Sequence, residues 1–443
     1  MITNMNEVGK FIYSSYVKGK QFNQNIIKDA ERRNPQLTRE LLDRVCAEDG
    51  RMKNILVTGS KGKGSVSKIL ETILRNMGYR VGLFTGPHLI HFSERIQING
   101  EMISDNDFIR IAESIRKDAE EIQETLQDGK YIGPVGILSV IASLYFKERK
   151  TDINIFECGK GARYDDVAQI KAEISIINSI FLEHTGELGE TIQEIAFHKA
   201  GVIREGQRAV FLGIQSFDEV HEIVEKEAAE FGTECFLYGE DFFAGDITER
   251  IDSTDFGLQS KNFYKNLNIK LCGAYQAYNA AVAISAIEYY INNKIEEKIL
   301  KKALSEVRWD GRMTIMNQNP LVLLDGTINK VSAKYVANYL QNIKKSPHTI
   351  IFSLPDDKDY QGVIDILSSY TKKIILTEAN NPSLKYKNQL QYKYAKTICK
   401  DTIYIQNSKE AIQTAMREMQ AEDMLCILGT ISLLRDTLEF FRK

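Results

Sequence analysis

From residue 54 onward, short apolar runs alternate with stretches whose apolar positions recur every three or four residues. Short runs of this kind read as strands buried on both faces, and the three-to-four spacing reads as helices with one apolar side. Their alternation predicts an α/β chain built on a mainly parallel sheet covered by helices. The predicted strands are 54–59, 80–85, 153–157, 174–178 and 209–212, with helices at 66–77, 105–126 and 135–146. Between 233 and 271 the texture changes to short alternating stretches with Gly, Asp, Ser and aromatic residues, which predicts an irregular β insertion. A helical pair follows at 276–291 and 295–307. Arg308-Trp309-Asp310-Gly311-Arg312 then reads as a hinge, and the runs 321–324, 349–353, 373–377, 402–405 and 425–429 make a second, smaller α/β domain.

Composition narrows the class. With 443 residues the chain exceeds one ordinary core. A net charge of -3 from intermixed signs argues against a broad nucleic-acid surface. The six cysteines, at 46, 158, 235, 272, 399 and 426, form no CxxC pair, so neither a zinc cluster nor a disulfide framework is expected and a reducing cytoplasm fits. No N-terminal apolar signal core is present, and no run approaches the roughly 18 apolar residues of a membrane span. A soluble protein is expected.

The chemistry concentrates first at Val57-Thr58-Gly59-Ser60-Lys61-Gly62-Lys63-Gly64-Ser65, between a strand and a helix. A glycine-rich turn there gathers backbone N–H groups and a helix N-terminus at one point, which is a phosphate cradle. Lys63 adds a cation and Ser65 a hydroxyl for magnesium. The spacing differs from a plain Walker loop: only Ser60 and Lys61 separate Gly59 from Gly62, and Gly64 intervenes before Ser65. The bland alternative is a flexible turn.

Polar residues at strand ends come next, because ligands collect beyond the carboxyl ends of parallel strands. Glu157 ends 153–157 and is either a metal ligand or a solvated carboxylate. His184, after 174–178, is catalytic or structural, and Lys199 alone reads as a solvated helix lysine. The tract Thr85-Gly86-Pro87-His88-Leu89, with Glu94-Arg95 beyond it, positions an acidic substrate or is only a turn and hairpin. Lys160 and Arg163 meet anions or keep their loop soluble.

Together these segments resemble the folylpolyglutamate synthase branch of the Mur ligase superfamily, from about residue 40 onward and in the family's order. Gly59 to Ser65 is similar to its GTNGKGS loop, Thr85-Gly86-Pro87-His88-Leu89 to TSPHL, and Glu157 to Arg163 to ExGLGGR. Glu183-His184-Thr185 resembles DHT and Lys199-Ala200-Gly201 resembles KAG. Gln276 and Asn279 fit HQxxNA, Gly311-Arg312 the linker's GR, Asp325-Gly326 with Asn329 DGAHN, and Asp357-Lys358-Asp359 DKD. The chain departs at Gly86, Lys160, Ala162, Asp166-Val167-Ala168, Tyr275 and Ile328.

The resemblance implies a P-loop ATPase domain over 1–308 and a smaller Rossmann-like domain over 309–443. It implies ATP and magnesium as cofactors. Lys63 contacts phosphates within the cradle of Gly59, Ser60, Lys61, Gly62, Gly64 and Ser65, while Gln276, Asn279, Arg312 and Asp325 contact nucleotide. Ser65, Glu157 and His184 hold magnesium, and Lys199 is a lysine that becomes carbamylated. Lys63, Lys199 and His184 are the implied catalytic set, with Pro87, His88, Arg95, Arg163 and Asp357 on the substrate side. The implied reaction activates a small-molecule carboxylate as an acyl phosphate for attack by an amino acid, glutamate-like by family expectation. The altered substrate loops point to a changed carboxylate. Two other readings are an ATP-binding interaction subunit that has lost ligation and a P-loop kinase or nucleotide switch, the latter leaving the second domain unexplained.

Overall fold

The computed structural model describes residues 1–22, 28–46, 51–126 and 129–442. By contact the chain divides into two compact units. The first comprises Met1–Gly245, Gly257–Leu267 and Tyr278–Glu306; the second comprises Asp246–Phe256, Asn268–Ala277 and the chain from Val307 onward. Residues 246–256 and 268–277, which sequence pattern groups with the N-terminal part, thus make their contacts with the C-terminal part.

In the first unit β1 (Asn54–Thr58), β2 (Val81–Phe84), β3 (Ile96–Ile98), β4 (Glu101–Met102), β5 (Ile153–Glu157), β6 (Ile174–Ile177), β7 (Ala209–Leu212) and β8 (Glu234–Leu237) form one sheet. Its order is β4-β3-β2-β5-β1-β6-β7-β8. All pairs are parallel except β2–β3 and β3–β4. Every residue of β1, β5, β6 and β7 is buried, which is why these strands read as continuous apolar runs. The strand β8 lies inside the stretch expected to be irregular. It instead continues the parallel sheet, because the helix Asp218–Phe231 supplies the crossover from β7.

Two N-terminal helices, Met5–Lys20 and Pro35–Val45, are not announced by sequence pattern. Each carries only a few apolar residues, and these become core only against a partner: Val8, Ile12, Leu41 and Leu42 are fully buried in one cluster with Phe108, Ile111, Ile115, Ile137 and Ile141. Those partners lie on the helices Asp105–Glu124 and Pro134–Glu148. Asn4 and Ser104 start their helices by accepting hydrogen bonds from the N–H groups of Glu7 at 3.0 Å and Asp107 at 3.1 Å. Among the described residues no helix is long and apolar enough to cross a membrane.

After β8, the strands β9 (Phe243–Glu249), β10 (Thr254–Gln259) and β11 (Phe263–Ile269) form a three-stranded sheet. The second unit holds β12 (Thr314–Gln318), β13 (Leu321–Asp325), β14 (Thr349–Ser353), β15 (Lys373–Glu378), β16 (Thr402–Asn407) and β17 (Met424–Gly429), ordered β12-β13-β17-β14-β15-β16. In this sheet β12 runs antiparallel, as an edge hairpin with β13, and the other pairs are parallel. The residues of β12 are mostly half-buried and mixed in polarity, so no apolar run announces it.

The largely aliphatic core of the first unit contains a small aromatic group. Phe156 on β5 has its ring 5.9 Å from Phe84 and 5.6 Å from Phe146, and it is fully buried. Phe156→Ala should destabilise the protein by about 3–5 kcal/mol through lost burial and a residual cavity. Urea unfolding checks this, with a midpoint unchanged from wild type as the contrary result.

Candidate active site

The loop between β1 and the helix Lys63–Asn76 is shaped by what surrounds it. Gly62 caps the helix in a left-handed conformation, φ 76. A Cβ there would overlap the Asn178 amide and come 2.6 Å from Asn279 Oδ1, so both the backbone angle and the space demand glycine. The helix then opens with the N–H groups of Lys63, Gly64 and Ser65, which have no earlier carbonyl within the helix to bond. This is the anion-binding end of a helix. The Lys63 ammonium folds back on the Gly59 carbonyl at 2.9 Å, and Ser65 is buried in the first turn.

Backbone register brings the neighbouring strand ends to this loop. Val57 lies opposite Glu157, and the Cys158 N–H donates to the Val57 carbonyl at 2.9 Å. On the other side Thr58 lies opposite Ile177, the Asn178 N–H donates to the Thr58 carbonyl at 2.9 Å, and the Ser60 N–H donates to the Ser179 carbonyl at 2.8 Å. Glu183 and His184 follow a few residues on.

Lys199 comes from the helix Ile192–Ala200 and is only 1% exposed, so it is not the solvated helix lysine that its sequence context suggests. Its ammonium donates to Glu183 Oε1 at 3.0 Å. Burial lowers the Lys199 pKa to about 8, against the opposing pull of Glu183, and the nearby charge of Lys63 lowers it further. Burial pushes the Glu183 carboxyl up, but Lys199 and Lys63 outweigh it and hold the group below its ordinary value. His184 is lowered by burial, partly offset by Glu183 and Glu187, and sits at φ 50. Lys63, Glu183, His184 and Lys199 therefore share one electrostatic neighbourhood.

The Glu157 carboxylate reaches across to the loop after β2. It accepts the Thr85 hydroxyl, and its Oε2 lies 3.3 Å from the Gly86 N–H, so the metal-ligand candidate and the Thr85–Leu89 tract are joined directly. The tract is itself braced: Glu94 accepts the N–H groups of Leu89 at 2.7 Å, Ile90 at 2.9 Å and His91 at 2.7 Å. Past Pro87, Arg95 Nε donates to His88 Nδ1 at 3.0 Å. Burial lowers the Arg95 pKa while Tyr13, Glu157 and Glu94 oppose it. Both the turn and the hairpin of the bland reading are present, and they carry Pro87, His88 and Arg95 to the Glu157 side.

Arg163 is placed differently from expectation. Its Nη2 pairs with Glu227 at 2.7 Å, its Nε donates to the Phe197 carbonyl at 3.1 Å, and its guanidinium stacks 3.8 Å from the Phe197 ring. Those contacts make it a brace between helices. Lys160 likewise pairs with Glu187 at 3.0 Å and Asp29 at 3.3 Å.

In the second unit the carboxylate of Asp325, at the end of β13, accepts the Met313 N–H at 2.9 Å and the Thr327 hydroxyl at 2.5 Å. Arg312 Nη1 donates to the Gly311 carbonyl at 3.0 Å. Half-buried Tyr275 feels both Asp325 and Arg312 and bonds with Gln276, so these four residues form one cluster. Tyr275 and Ile328 pack against the apolar core of this unit, which gives the two replaced histidine positions a structural role. Asp357 pairs with Lys358 at 2.7 Å with its side chain 69% exposed and joins no part of that cluster.

Among the described residues no three His, Cys, Asp or Glu side chains gather to hold a metal alone. A magnesium ion at phosphates needs no such cage, since one or two carboxylates with hydroxyl, water and phosphate oxygens suffice. Ser65 and Glu157 supply oxygen donors of that kind, so the donor set fits. Asn178, absent from the sequence candidates, donates its side-chain amide to the Lys61 carbonyl of the loop at 3.1 Å. The signal that could have found it is a polar residue ending an apolar strand.

Glu183→Gln should leave the Lys199 ammonium buried without its partner. The Lys199 amine then titrates below about 8, and stability below that pH falls by up to about 3 kcal/mol, the cost fading as pH rises and the amine turns neutral. Lysine-selective NMR titration with urea unfolding at pH 6 and pH 9 measures both; equal losses at the two pH values would contradict the assignment.

Comparison with known proteins bears on this arrangement. Residues 57–287 match the model of the Mur ligase middle domain and residues 311–431 that of the Mur ligase glutamate ligase domain. A dihydrofolate synthase/folylpolyglutamate synthase of Bacillus subtilis is 28% identical over 410 residues, covering 90% of this chain and 92% of that protein. A folylpolyglutamate synthase of Lacticaseibacillus casei is 27% identical over 326 residues, covering 73% of this chain and 76% of that protein. The folylpolyglutamate synthase of Mycobacterium tuberculosis complexed with ADP superposes with a TM-score of 0.86 at 21% identity, covering 99% of each chain. The middle-domain match alone takes in more than half of the residues, and the chain belongs to the Mur ligase superfamily, on its folylpolyglutamate synthase-like branch.

Proposed function

We propose that this chain joins a glutamate-like amino acid to a small-molecule carboxylate through an acyl phosphate. The chain is an ATP-dependent ligase that forms ADP and phosphate. The observation that carries the finer reading is the meeting of the phosphate loop, Glu157 and the pair of buried Lys199 with half-buried Glu183 at the carboxyl ends of β1, β5 and β6. Relatives of known structure include a folylpolyglutamate synthase–AMPPCP–folate complex. The two domains of the ligase are proposed as 1–308 and 309–443, and its setting as the cytoplasm, where six free thiols fit.

In the first half-reaction a carboxylate oxygen attacks the γ-phosphorus and ADP leaves. Lys63 exchanges the Gly59 carbonyl for phosphate oxygens, and the N–H groups at the start of Lys63–Asn76 hold the same anion without reorganising. Ser65, Glu157 and His184 would hold magnesium. When bound, that ion neutralises charge on the transferred phosphoryl group. The carboxylate substrate lies along Thr85 to His88, with Arg95 as its counter-charge, and the Thr85–Glu157 contact ties its placement to the phosphate end. In the second half-reaction the amine attacks the acyl carbon and phosphate departs. Holding donor and acceptor together contributes up to about 7–11 kcal/mol where the geometry is near attack.

Lys199 is proposed as the carbamylated residue. Its pKa of about 8 leaves a sizeable fraction of the amine neutral near physiological pH, and only the neutral amine adds carbon dioxide. The product is an anion in place of a cation beside Glu183, so its formation requires a neighbouring positive charge; Lys63 supplies one. Activity should fall in buffer stripped of carbon dioxide, recover with bicarbonate, and show no such response in Lys199→Arg.

The reaction itself is tested by mass spectrometry of carboxylate and amino-acid mixtures with ATP and magnesium. The expected product has the summed mass less water and appears with ADP and phosphate. Lys63→Ala should lower turnover by at least about a hundredfold, the scale of one lost charge-stabilising group. ATP binding without turnover across a broad screen would favour the degenerate-subunit reading, and full activity in Lys63→Ala would sink the assignment of the loop.

A further inference from the structure

One buried amide joins four parts of the nucleotide end of the first unit. Asn178 follows β6 and is 2% exposed. Its Nδ2 donates to the Lys61 carbonyl at 3.1 Å and to Asn279 Oδ1 at 2.7 Å, so both of its hydrogens are used. Its backbone carbonyl accepts from Gln215 Nε2 at 3.3 Å, and Gln215 Oε1 in turn accepts the Ile180 N–H at 2.9 Å. The chain folds tightly round this side chain: besides Gly62, a Cβ at Gly213 would come 2.5 Å from Asn178 Oδ1. The phosphate loop, the end of β6, the end of β7 and the helix Tyr275–Ile291 converge on one group.

The consequence follows from peptide geometry. In a planar trans peptide the C=O and the next N–H point in opposite directions. Drawing the Lys61 carbonyl onto the Asn178 amide therefore turns the Gly62 N–H away from Asn178. Successive N–H groups aimed to one side make an anion-binding nest.

We propose that Asn178 is a positioning residue for nucleotide phosphate: its amide orients the Lys61–Gly62 peptide and fixes Asn279 at the same time, coupling the cradle to a second nucleotide contact. The inference rests on the nucleotide reading above. It assigns Asn178 no contact with the reacting atoms. Loss of the amide would free the Lys61 carbonyl to rotate into the cradle, where an oxygen repels phosphate.

Asn178→Asp is the near-isosteric test, since it removes both donors and sets a carboxylate against two oxygens. Calorimetric titration with ADP and with AMP separates phosphate positioning from general loosening. The variant should bind ADP at least tenfold more weakly while AMP affinity changes by less than threefold, and KM for ATP should rise with KM for the amine unchanged. Combined with Asn279→Ala the losses should be less than additive, because the two residues act through one bond. Should Asn178→Asp fail to fold by circular dichroism, Asn178→Ser, which leaves a small hydroxyl and room for water, takes the same measurements. An ADP-to-AMP preference equal to wild type in a folded variant overturns the inference. A wild-type chain that binds neither nucleotide overturns the nucleotide reading and the inference with it.

Discussion

The hydrogen bonds that hold β1 between β5 and β6 are the constraint on which the first unit's chemistry depends. Parallel pairing fixes register one residue at a time, so Val57 opposite Glu157 and Thr58 opposite Ile177 leave little freedom in where the following loops begin. A shift of one residue would turn Glu157 to the other face of the sheet and carry it away from Thr85. The strands are apolar and fully buried because helices cover both faces, and the polar groups are confined to their carboxyl ends.

Those ends hold charges at a cost. Lys199 is almost completely removed from water, and Glu183 stands directly against its ammonium. Burying an ion pair in this way gains little stability over an apolar pair and makes each partner's removal expensive. Its effect is on chemistry instead: burial leaves the amine poised to lose its proton near neutral pH, where an exposed lysine would not. Glu157 shows the complementary device. Its carboxylate is pinned by the Thr85 hydroxyl beside the Gly86 N–H, so the loop beyond β2 and the end of β5 form one piece.

Much of this is legible in the order of residues alone. The glycine spacing of the phosphate loop, the strand runs around it and the second α/β domain follow from local pattern, and each of those predicted strands forms within a residue or two of its expected place. What pattern misses has physical reasons. The helices Met5–Lys20 and Pro35–Val45 are sparsely apolar and depend on partners distant in sequence. The strand β8 is hidden by mixed polarity at a sheet edge, where only its pairing with β7 defines it. Arg163 looks like a site cation because its loop follows Glu157, yet a guanidinium reaches far enough to be captured by Glu227 and Phe197.

The sequence by itself determined the strands around the phosphate loop and those of the second parallel sheet, the phosphate cradle and the family, because these rest on short-range periodicity and on residues adjacent in the chain. Tertiary structure alone decided the partners. It buried Lys199 against Glu183, set Asn178 between Lys61 and Asn279, gathered Tyr275, Gln276, Arg312 and Asp325, and left Asp357 at the surface. Charge and hydrogen bonding act through distance in space, and residues 16 to 117 positions apart along the chain acquire such distances only when the sheets form.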